Sequence, residues 1–302
     1  MDSKKTKIFL TSLILLAGLI WATIFQLPDS RLHLIFCDVG QGDAILVTYR
    51  SNQILIDGGP DNRVLSCLAN HMPFWDREIE LVILTHPEAD HLTGLIDVIK
   101  RYDITQFVVN SVVNDSAGFW EFRETVLAEA ASVHSPQAKE EIKIGPLGFK
   151  VLWPRHRRGD SLVWSHFAKA SRDRQSVLGV ASPPSDINET SIVLQLAFGK
   201  FNALLTGDIG FDTEEKLDLA NLPGIEVLKV PHHGSKYSSG EEFLAKLNPE
   251  LAVISVGKNR WGHPTEEVLN RLLSVGAKVL RTDQDGEVEI VSDGKNWYYK
   301  PK

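Results

Sequence analysis

Short apolar runs bounded by turn residues recur along the chain from Leu32 onward. A run such as Leu81 to Leu84 is too short for a core helix and is typical of a buried strand. Between these runs lie segments of helical period, and one of them, Leu92 to Tyr102, repeats its apolar residues on one face. Strand and helix segments alternate in two similar halves. The pattern therefore predicts an α/β fold in which helices pack on sheets.

The N-terminal segment has a different pattern. Lys4, Lys5 and Lys7 precede an apolar run from Ile8 to Phe25. Such a run is at the short end for a membrane-spanning helix, and lysines before it predict a cytoplasmic N-terminus with the remaining chain outside. We therefore predict a cytoplasmic tip and single-pass cell-membrane anchor over residues 1–30, followed by an extracytoplasmic domain over residues 31–302. Secretion after signal cleavage is one alternative, and a soluble protein with a buried N-terminal helix is the other.

One segment of that domain interrupts the alternation. Residues 155–187 are basic at their start and rich in serine and proline near their end. A connection of this length inside a compact domain is usually a functional loop or disordered. We predict a mobile insertion at residues 155–187.

Composition narrows the functional classes only slightly. The 302 residues are 43% hydrophobic and carry a net charge of −7, so bulk charge does not indicate nucleic-acid binding, and any basic surface must be local. The tryptophans show no pattern that indicates stacking on single-stranded nucleic acid. Cys37 and Cys67 do not make a disulfide framework, and we interpret them as buried small side chains.

Potential metal ligands are concentrated after the strand predicted at Leu81 to Leu84. His86, Glu88, Asp90 and His91 fall on one tight loop. Imidazoles and carboxylates together suit a borderline or hard divalent cation, and four such groups are too many for a purely structural tetrahedral site. The sequence therefore predicts a functional metal centre at the end of this strand.

Other polar clusters also follow predicted strands, and active sites of layered α/β folds form along that edge. They are Asp38 to Asp43, Asp57-Gly58-Gly59, Gly207-Asp208, Pro231-His232-His233-Gly234-Ser235 and Gly262-His263-Pro264.

Together and in this order, these motifs resemble the metallo-β-lactamase superfamily and, within it, the hydrolase domain of ComEC-type competence (DNA-uptake) proteins. The resemblance covers about Leu32 to Val291, apart from the insertion. It implies an αβ/βα four-layer sandwich and a metal-dependent hydrolase with two divalent ions. Two neighbouring ions can activate a water and stabilise the attacking and leaving oxygens of a phosphoryl displacement.

The resemblance also implies a role for individual residues. The implied metal ligands are His86 and Glu88 for one ion, Asp90 and His91 for the other, Asp208 as a bridge, and either His232 or His233 as the last ligand. The implied catalytic residues are Asp90 and His263. The implied substrate contacts are Lys229, Ser235 and Asn259, and the implied supports of the site are Asp43, Asp57, Asn188 and Ser191.

Two departures from the superfamily pattern bear on the metal. Glu88 stands where the superfamily has histidine and the ComEC-like group typically has aspartate, and Asn188 precedes the hairpin where a later histidine is expected. The first metal site is therefore richer in oxygen and poorer in imidazole. This favours Mn²⁺, with Zn²⁺ or Mg²⁺ as alternatives.

The function that the resemblance implies is a phosphodiesterase acting on DNA, as in ComEC-like DNA uptake. Because the resemblance includes no polytopic channel, a separate membrane channel protein is an expected partner. Two alternatives stay open. One is a cell-surface phosphodiesterase for a non-nucleic substrate, and the other is a non-catalytic metal-binding scaffold.

Overall fold

The computed structural model describes residues 3–25, 27–110, 112–155 and 186–301. Most of the insertion predicted at 155–187 lies outside the described residues. The strands are β1 (Leu32–Phe36), β2 (Ile45–Tyr49), β3 (Asn52–Ile56), β4 (Glu78–Ile79), β5 (Leu81–Leu84), β6 (Asp103–Ile104), β7 (Gln106–Val109), β8 (Ser132–His134), β9 (Glu141–Ile144), β10 (Leu147–Trp153), β11 (Val193–Phe198), β12 (Phe201–Leu205), β13 (Val227–Lys229), β14 (Leu251–Ile254), β15 (Lys278–Arg281), β16 (Val288–Ser292) and β17 (Trp297–Pro301). The α-helices are α1 (Ser3–Phe25), α2 (Val64–His71), α3 (Ala89–Ile99), α4 (Ala117–Ala128), α5 (Phe211–Glu214), α6 (Glu241–Leu247), α7 (Glu266–Ser274) and α8 (Thr282–Asp285).

Two large sheets form the centre of the molecule. One has the order β17-β16-β1-β2-β3-β5-β7-β8 and the other β15-β14-β13-β12-β11-β10-β9. Strands β3, β5 and β7 run parallel in the first sheet, and β12, β13, β14 and β15 run parallel in the second. The carboxyl ends of parallel strands share one sheet edge, so the polar clusters that follow β3, β5, β12 and β13 can meet.

Alternation along the strands builds the core. In β1, Leu34 and Phe36 belong to the hydrophobic cluster that both sheets share, whereas Ile35 belongs to the cluster formed with α2, α3 and α4. Successive strand side chains point to opposite faces, which gives each sheet two apolar faces to cover. A third cluster joins the second sheet to α6 and α7. The predicted αβ/βα four-layer sandwich is therefore confirmed.

The predicted membrane anchor is wrong. Of the helices in the described ranges, none combines the length and apolar character that crossing a membrane requires. Helix α1 has 23 residues, but Lys4, Lys5 and Lys7 lie in its first turns, and the hydroxyls of Thr11 and Ser12 interrupt the apolar run. A span needs about 20 predominantly apolar residues. The localisation predicted from this segment was a single-pass membrane protein with an extracytoplasmic domain. It is wrong for the same reason.

The interpretation of the cysteines also needs correction. Cys37, just after β1, and Cys67, in α2, are buried as predicted but form a disulfide, with Cα atoms 5.8 Å apart. That separation is within the range a disulfide requires. The spacing of two cysteines in the sequence could not show that α2 packs over the end of β1.

Candidate metal centre

A short loop joins the end of β5 to the start of α3. His86 lies in this loop, and Glu88 occupies the N-cap position with extended backbone (φ −94°, ψ 155°). Asp90 and His91 lie in the first turn of α3, where the positive end of the helix dipole favours a carboxylate. The change from strand to helix therefore places all four predicted ligands at the same sheet edge.

Hydrogen bonds fix the tautomer of His86, which is fully buried. Its Nδ1 lies 3.1 Å from the hydroxyl of Thr85 and 3.2 Å from that of Ser191. Both hydroxyls already donate elsewhere, Thr85 to Asp57 at 2.7 Å and Ser191 to the carbonyl of Asn188 at 2.7 Å. They can only accept from the ring, so Nδ1 carries the proton and Nε2 keeps a lone pair. Burial lowers the pKa of His86 well below its ordinary value, which keeps the ring neutral.

His91 is oriented by Asp57. The Nδ1–H of His91 donates to Oδ2 of Asp57 at 2.8 Å, and Asp57 also accepts the backbone N–H and the hydroxyl of Thr85 at 2.8 and 2.7 Å. Asp57 thus contacts the loop that the resemblance expects it to support. Nε2 of His91 lies 3.4 Å from Oδ2 of Asp208. A carboxylate on the remote nitrogen is how proteins commonly orient a metal-binding histidine.

His233, rather than His232, joins this cluster. Its Nδ1 donates to the carbonyl of Ser255 at 2.8 Å, which directs Nε2 toward the carboxylates of the cluster. Nε2 lies 3.0 Å from Oδ2 of Asp208 and 3.5 Å from Oδ2 of Asp90. Burial raises the pKa of Asp90, but His233 and other imidazoles outweigh it and hold that pKa below its ordinary value. The geometry therefore favours His233 where the sequence left two histidines open.

Asp208 lies at the centre of the cluster and shares a buried charge network with Lys229. The Lys229 ammonium donates to Oδ1 of Asp208 at 3.1 Å and to the carbonyl of Gly207 at 2.7 Å, and it also pairs with Asp43. Burial raises the pKa of Asp208, but His233 and Lys229 outweigh it and hold the pKa well below its usual range. Burial lowers the pKa of Lys229, but Asp43 and Asp208 raise it to about 12. Asp208 and Lys229 are therefore both charged.

Candidate ligand atoms converge in overlapping groups, and within each group the atoms lie within 4.8 Å of one another. These groups are His86 with His91 and Asp208, Asp90 with His91 and His233, Asp43 with Asp208 and His233, and Asp43 with Asp57 and His91. The Nε2 atoms of His86, His91 and His233 are buried and have no hydrogen-bond partner among the described residues. Leaving such atoms unpaired is costly. The donor set therefore fits divalent cations.

A cleft of about 530 Å³ opens over the cluster, a size common for small-molecule sites. The predicted site residues that line it are Glu88, Asp90, Asn188, Asp208, His232, His233 and His263. Sequence reasoning missed the four other lining residues, which are Gln41, Pro60, Ala89 and Trp261. Gln41 belongs to the glycine-rich turn at Asp38 to Asp43, and Trp261 directly precedes a recognised motif, so their positions beside motifs were the available signal.

The two departures from the superfamily pattern lie in the cleft lining. Glu88 is in none of the ligand groups found among the described residues, and burial, with Asp90, raises its pKa. Oδ1 of Asn188 is buried and has no hydrogen-bond partner within the described ranges. The structure therefore places one carboxylate and one free amide oxygen beside the cluster rather than inside it.

His232 and His263 form part of the cleft wall. Their ring centroids are 5.7 Å apart at an interplanar angle of 82°. Nδ1 of His263 is buried without a hydrogen-bond partner in the described structure. Burial, together with His232 and His233, lowers the pKa of His263 to about 4, so this ring is neutral near pH 7.

Comparison with known proteins agrees with this architecture. A family profile described as "Beta-lactamase superfamily domain" matches residues 52–181. The structure is similar to that of the metallo-beta-lactamase fold protein YhfI from Bacillus subtilis, with a TM-score of 0.52, 12% sequence identity, and coverage of 84% of this chain and 98% of that chain. The chain has the metallo-β-lactamase fold.

Curated relatives of this metallo-β-lactamase-fold protein carry competence names. It is 28% identical over 287 residues to ComE operon protein 3 of Bacillus subtilis (strain 168), covering 88% of this chain and 34% of that protein. It is also 28% identical over 287 residues to Competence protein ComA of Neisseria gonorrhoeae, covering 92% of this chain and 35% of that protein. The chain spans about a third of the length of these relatives.

In this metallo-β-lactamase fold, the three residues predicted to contact substrate do not line the cleft. They are Lys229, Ser235 and Asn259. Lys229 is 0% exposed and Ser235 is 3% exposed. The Asn259 amide donates to the carbonyls of Gly257 and His263 at 2.9 and 2.8 Å, and its oxygen accepts the backbone N–H of His263 at 3.0 Å. The polar groups of Lys229, Ser235 and Asn259 form hydrogen bonds or ion pairs with other parts of the protein behind the cleft surface. These contacts shape the site.

Proposed function

We propose that this protein is a metal-dependent phosphodiesterase that acts on DNA. One observation carries the proposal. Three buried imidazoles have Nδ1 fixed by a hydrogen bond and keep an unpartnered Nε2 in the described structure. Two of these Nε2 atoms lie within 3.5 Å of the carboxylates of Asp90 or Asp208, below an open cleft.

The clustered residues could hold two divalent ions. His86 and Asp208 would bind the first ion, and Asp90, His91 and His233 the second, with Asp208 shared. Bound there, two ions supply an activated water and charge stabilisation for displacement at phosphorus. Mn²⁺ is favoured because the site combines imidazoles with many oxygen donors, and Zn²⁺ or Mg²⁺ are alternatives.

The chain's own residues would divide the remaining work. Lys229 would hold the Asp208 carboxylate in one orientation through its contact at 3.1 Å. His263 would move a proton during the reaction, since its neutral ring lines the cleft and its Nδ1 has no partner in the described parts of the chain. Asp90 stays ionised and ready to bind a cation.

DNA is proposed as the substrate because the relatives carry competence names and because the motifs resemble the ComEC-type hydrolase domain. A separate membrane channel protein as partner stays a prediction. A scaffold without catalysis has one observation in its favour, the position of Glu88 outside the ligand groups of the described residues.

The test is hydrolysis of bis-p-nitrophenyl phosphate and of a single-stranded oligonucleotide by the full chain with saturating Mn²⁺. Wild type should exceed Asp90→Ala by at least about a hundredfold, since displacement of a reacting group by even 1 Å can cost that much. Glu242→Gln is the matched control, because the Glu242 side chain is 92% exposed and outside the cleft. Equal rates for wild type and Asp90→Ala on both substrates would favour the scaffold.

A further inference from the structure

The loop from Gly257 to His263 forms a rim of the cleft and carries an unusual side chain. Trp261 lines the cleft yet is 57% exposed. An aromatic side chain that lines a cleft beside a candidate catalytic centre and is open to water is available for contact with a ligand.

Asn259 holds this rim loop in one conformation. Its amide donates to the carbonyls of Gly257 and His263, and its oxygen accepts the backbone N–H of Trp261 at 3.1 Å and of His263 at 3.0 Å. The backbone of Trp261 is therefore fixed before any ligand arrives. A preorganised aromatic contact loses little conformational entropy on binding.

The Trp261 ring continues the flat wall of the cleft. It lies nearly parallel to the ring of His263, with an interplanar angle of 24° and centroids 6.3 Å apart. The guanidinium of Arg260 lies 5.2 Å from the centre of the indole. Flat surfaces of this kind accept another flat ring by stacking.

Positive charge accompanies the aromatic ring. Lys258 and Arg260 are exposed on the same loop, and neither forms an ion pair with an acidic side chain in the described part of the chain. The whole chain has a net charge of −7, so these cations are a local basic feature at the cleft rim. Cations that have no acidic partner and lie next to a flat ring suit a ligand that combines phosphates with bases.

We infer that Trp261 forms a stacking subsite for a nucleobase next to the phosphodiester bond, so that the substrate is a single-stranded nucleic acid. This inference rests on the proposed function and specifies its substrate. Bases of a duplex are already stacked on one another, whereas an unpaired base can leave its neighbours and lie on the indole. Stacking on an aromatic side chain tolerates every base, so the subsite selects strandedness rather than sequence.

The test is binding of a fluorescein-labelled ten-nucleotide single strand to the full chain, followed by fluorescence anisotropy with chelator present so that the strand is not cleaved. Trp261→Ala should weaken binding roughly 5- to 150-fold, the range that one base–aromatic stack supports. Trp261→Phe should recover most of the affinity. Trp75→Ala is the matched control, since Trp75 is 44% exposed and outside the cleft lining, and it should bind like wild type.

A second probe isolates the base. In a strand of the same length whose sugars carry no bases, wild type and Trp261→Ala should bind equally, and a duplex should bind wild type more weakly than the single strand does. Equal affinity of wild type and Trp261→Ala for the normal strand would overturn the subsite, as would failure of wild type to bind it. Hydrolysis of bis-p-nitrophenyl phosphate by wild type with Mn²⁺ tests the proposed function separately, because that readout does not require a nucleobase.

Discussion

Histidine side chains contact carboxylates in two different ways in this molecule. His33 bonds Glu289 through Nδ1 at 2.6 Å and Asp29 through Nε2 at 3.0 Å, so both of its nitrogens are engaged. His91 and His233 also lie between acceptors, since each Nδ1 donates to an oxygen at 2.8 Å, but their Nε2 atoms converge on one carboxylate oxygen, Oδ2 of Asp208, at 3.4 and 3.0 Å. His33 has a separate carboxylate at each nitrogen, whereas two rings of the cluster share one buried carboxylate, an arrangement in which a divalent cation can replace the ring protons.

The difference shows that a count of histidines and acids does not identify a metal centre. Both ring nitrogens of the half-buried His33 contact carboxylates, so its surroundings need no added ligand. The cluster around Asp208 is buried and keeps unpaired nitrogens in the described structure.

Asp208→Ala should have the largest effect. Asp208 lies in two of the candidate ligand groups, so its loss should remove or weaken both ions and lower hydrolysis by more than the roughly 10- to 100-fold that loss of an outer contact costs. Inductively coupled plasma mass spectrometry after dialysis against Mn²⁺ measures the ions per chain. Asp29→Ala, which removes one acid from His33, should bind metal like wild type. Unchanged metal content in Asp208→Ala would contradict the assignment of Asp208 as the shared ligand.

Asp57→Asn should have a smaller effect on the same ions. Asp57 accepts the Nδ1–H of His91 at 2.8 Å and thereby directs Nε2 toward Asp208. Loss of such an outer carboxylate weakens metal affinity by about 10- to 100-fold. Titration of the metal-free chain with Mn²⁺ measures the affinity. Glu289→Gln is the control at His33 and should leave the affinity unchanged; an equal loss in both variants would show that the effect is not specific to the cluster.

Glu88 should matter less than either aspartate. Because it lies outside the ligand groups of the described residues, Glu88→Asp should be neutral or faster on bis-p-nitrophenyl phosphate, with a change within about tenfold. Glu88→Ala should lower occupancy of the first ion only slightly, because the carboxylate lies beside the cluster, and should leave the Asp90–His91 site largely filled. Steady-state rates and metal content together measure both effects. Loss of the second ion in Glu88→Ala would place this carboxylate nearer the centre than the structure does.

The sequence predicts the layered fold and most of the cluster for a physical reason. Strand ends and helix starts can be read from periodicity, and parallel strands bring their carboxyl ends to one edge. His86, Asp90, His91 and Asp208 could therefore be placed together. The membrane anchor predicted from the N-terminal run was wrong. Lysines before a run of nearly sufficient length do not show that the helix is apolar enough to cross a membrane.

Other features depend on contacts that are remote in sequence. His232 and His233 both have positive φ, 50° and 52°, and only the acceptor at Ser255 shows which ring joins the cluster. A lysine at a strand end is usually exposed, but Lys229 is buried because Asp43 and Asp208 surround its ammonium. Such long-range pairings are what periodicity and spacing cannot report.

Substitution of His33 should have the smallest effect, and this effect is on the stability of the fold rather than on metal binding. Burial lowers its pKa, but Glu289 and Asp29 outweigh it and raise that pKa above its ordinary value. A raised folded-state pKa stabilises the fold fully below the unfolded histidine value of about 6.5, and the stabilisation is lost as pH rises through the folded value. Glu289, whose pKa His33 lowers to about 2, stays ionised throughout this range. His33→Asn should therefore lower the free energy of unfolding by about 1–2 kcal/mol near pH 6 and by less near pH 9.

Urea unfolding with chelator present measures this difference without bound metal. His134→Asn, at an exposed pair with Glu140, should change little at either pH. A His33 effect that grows toward pH 9 would show that this ring is not held protonated.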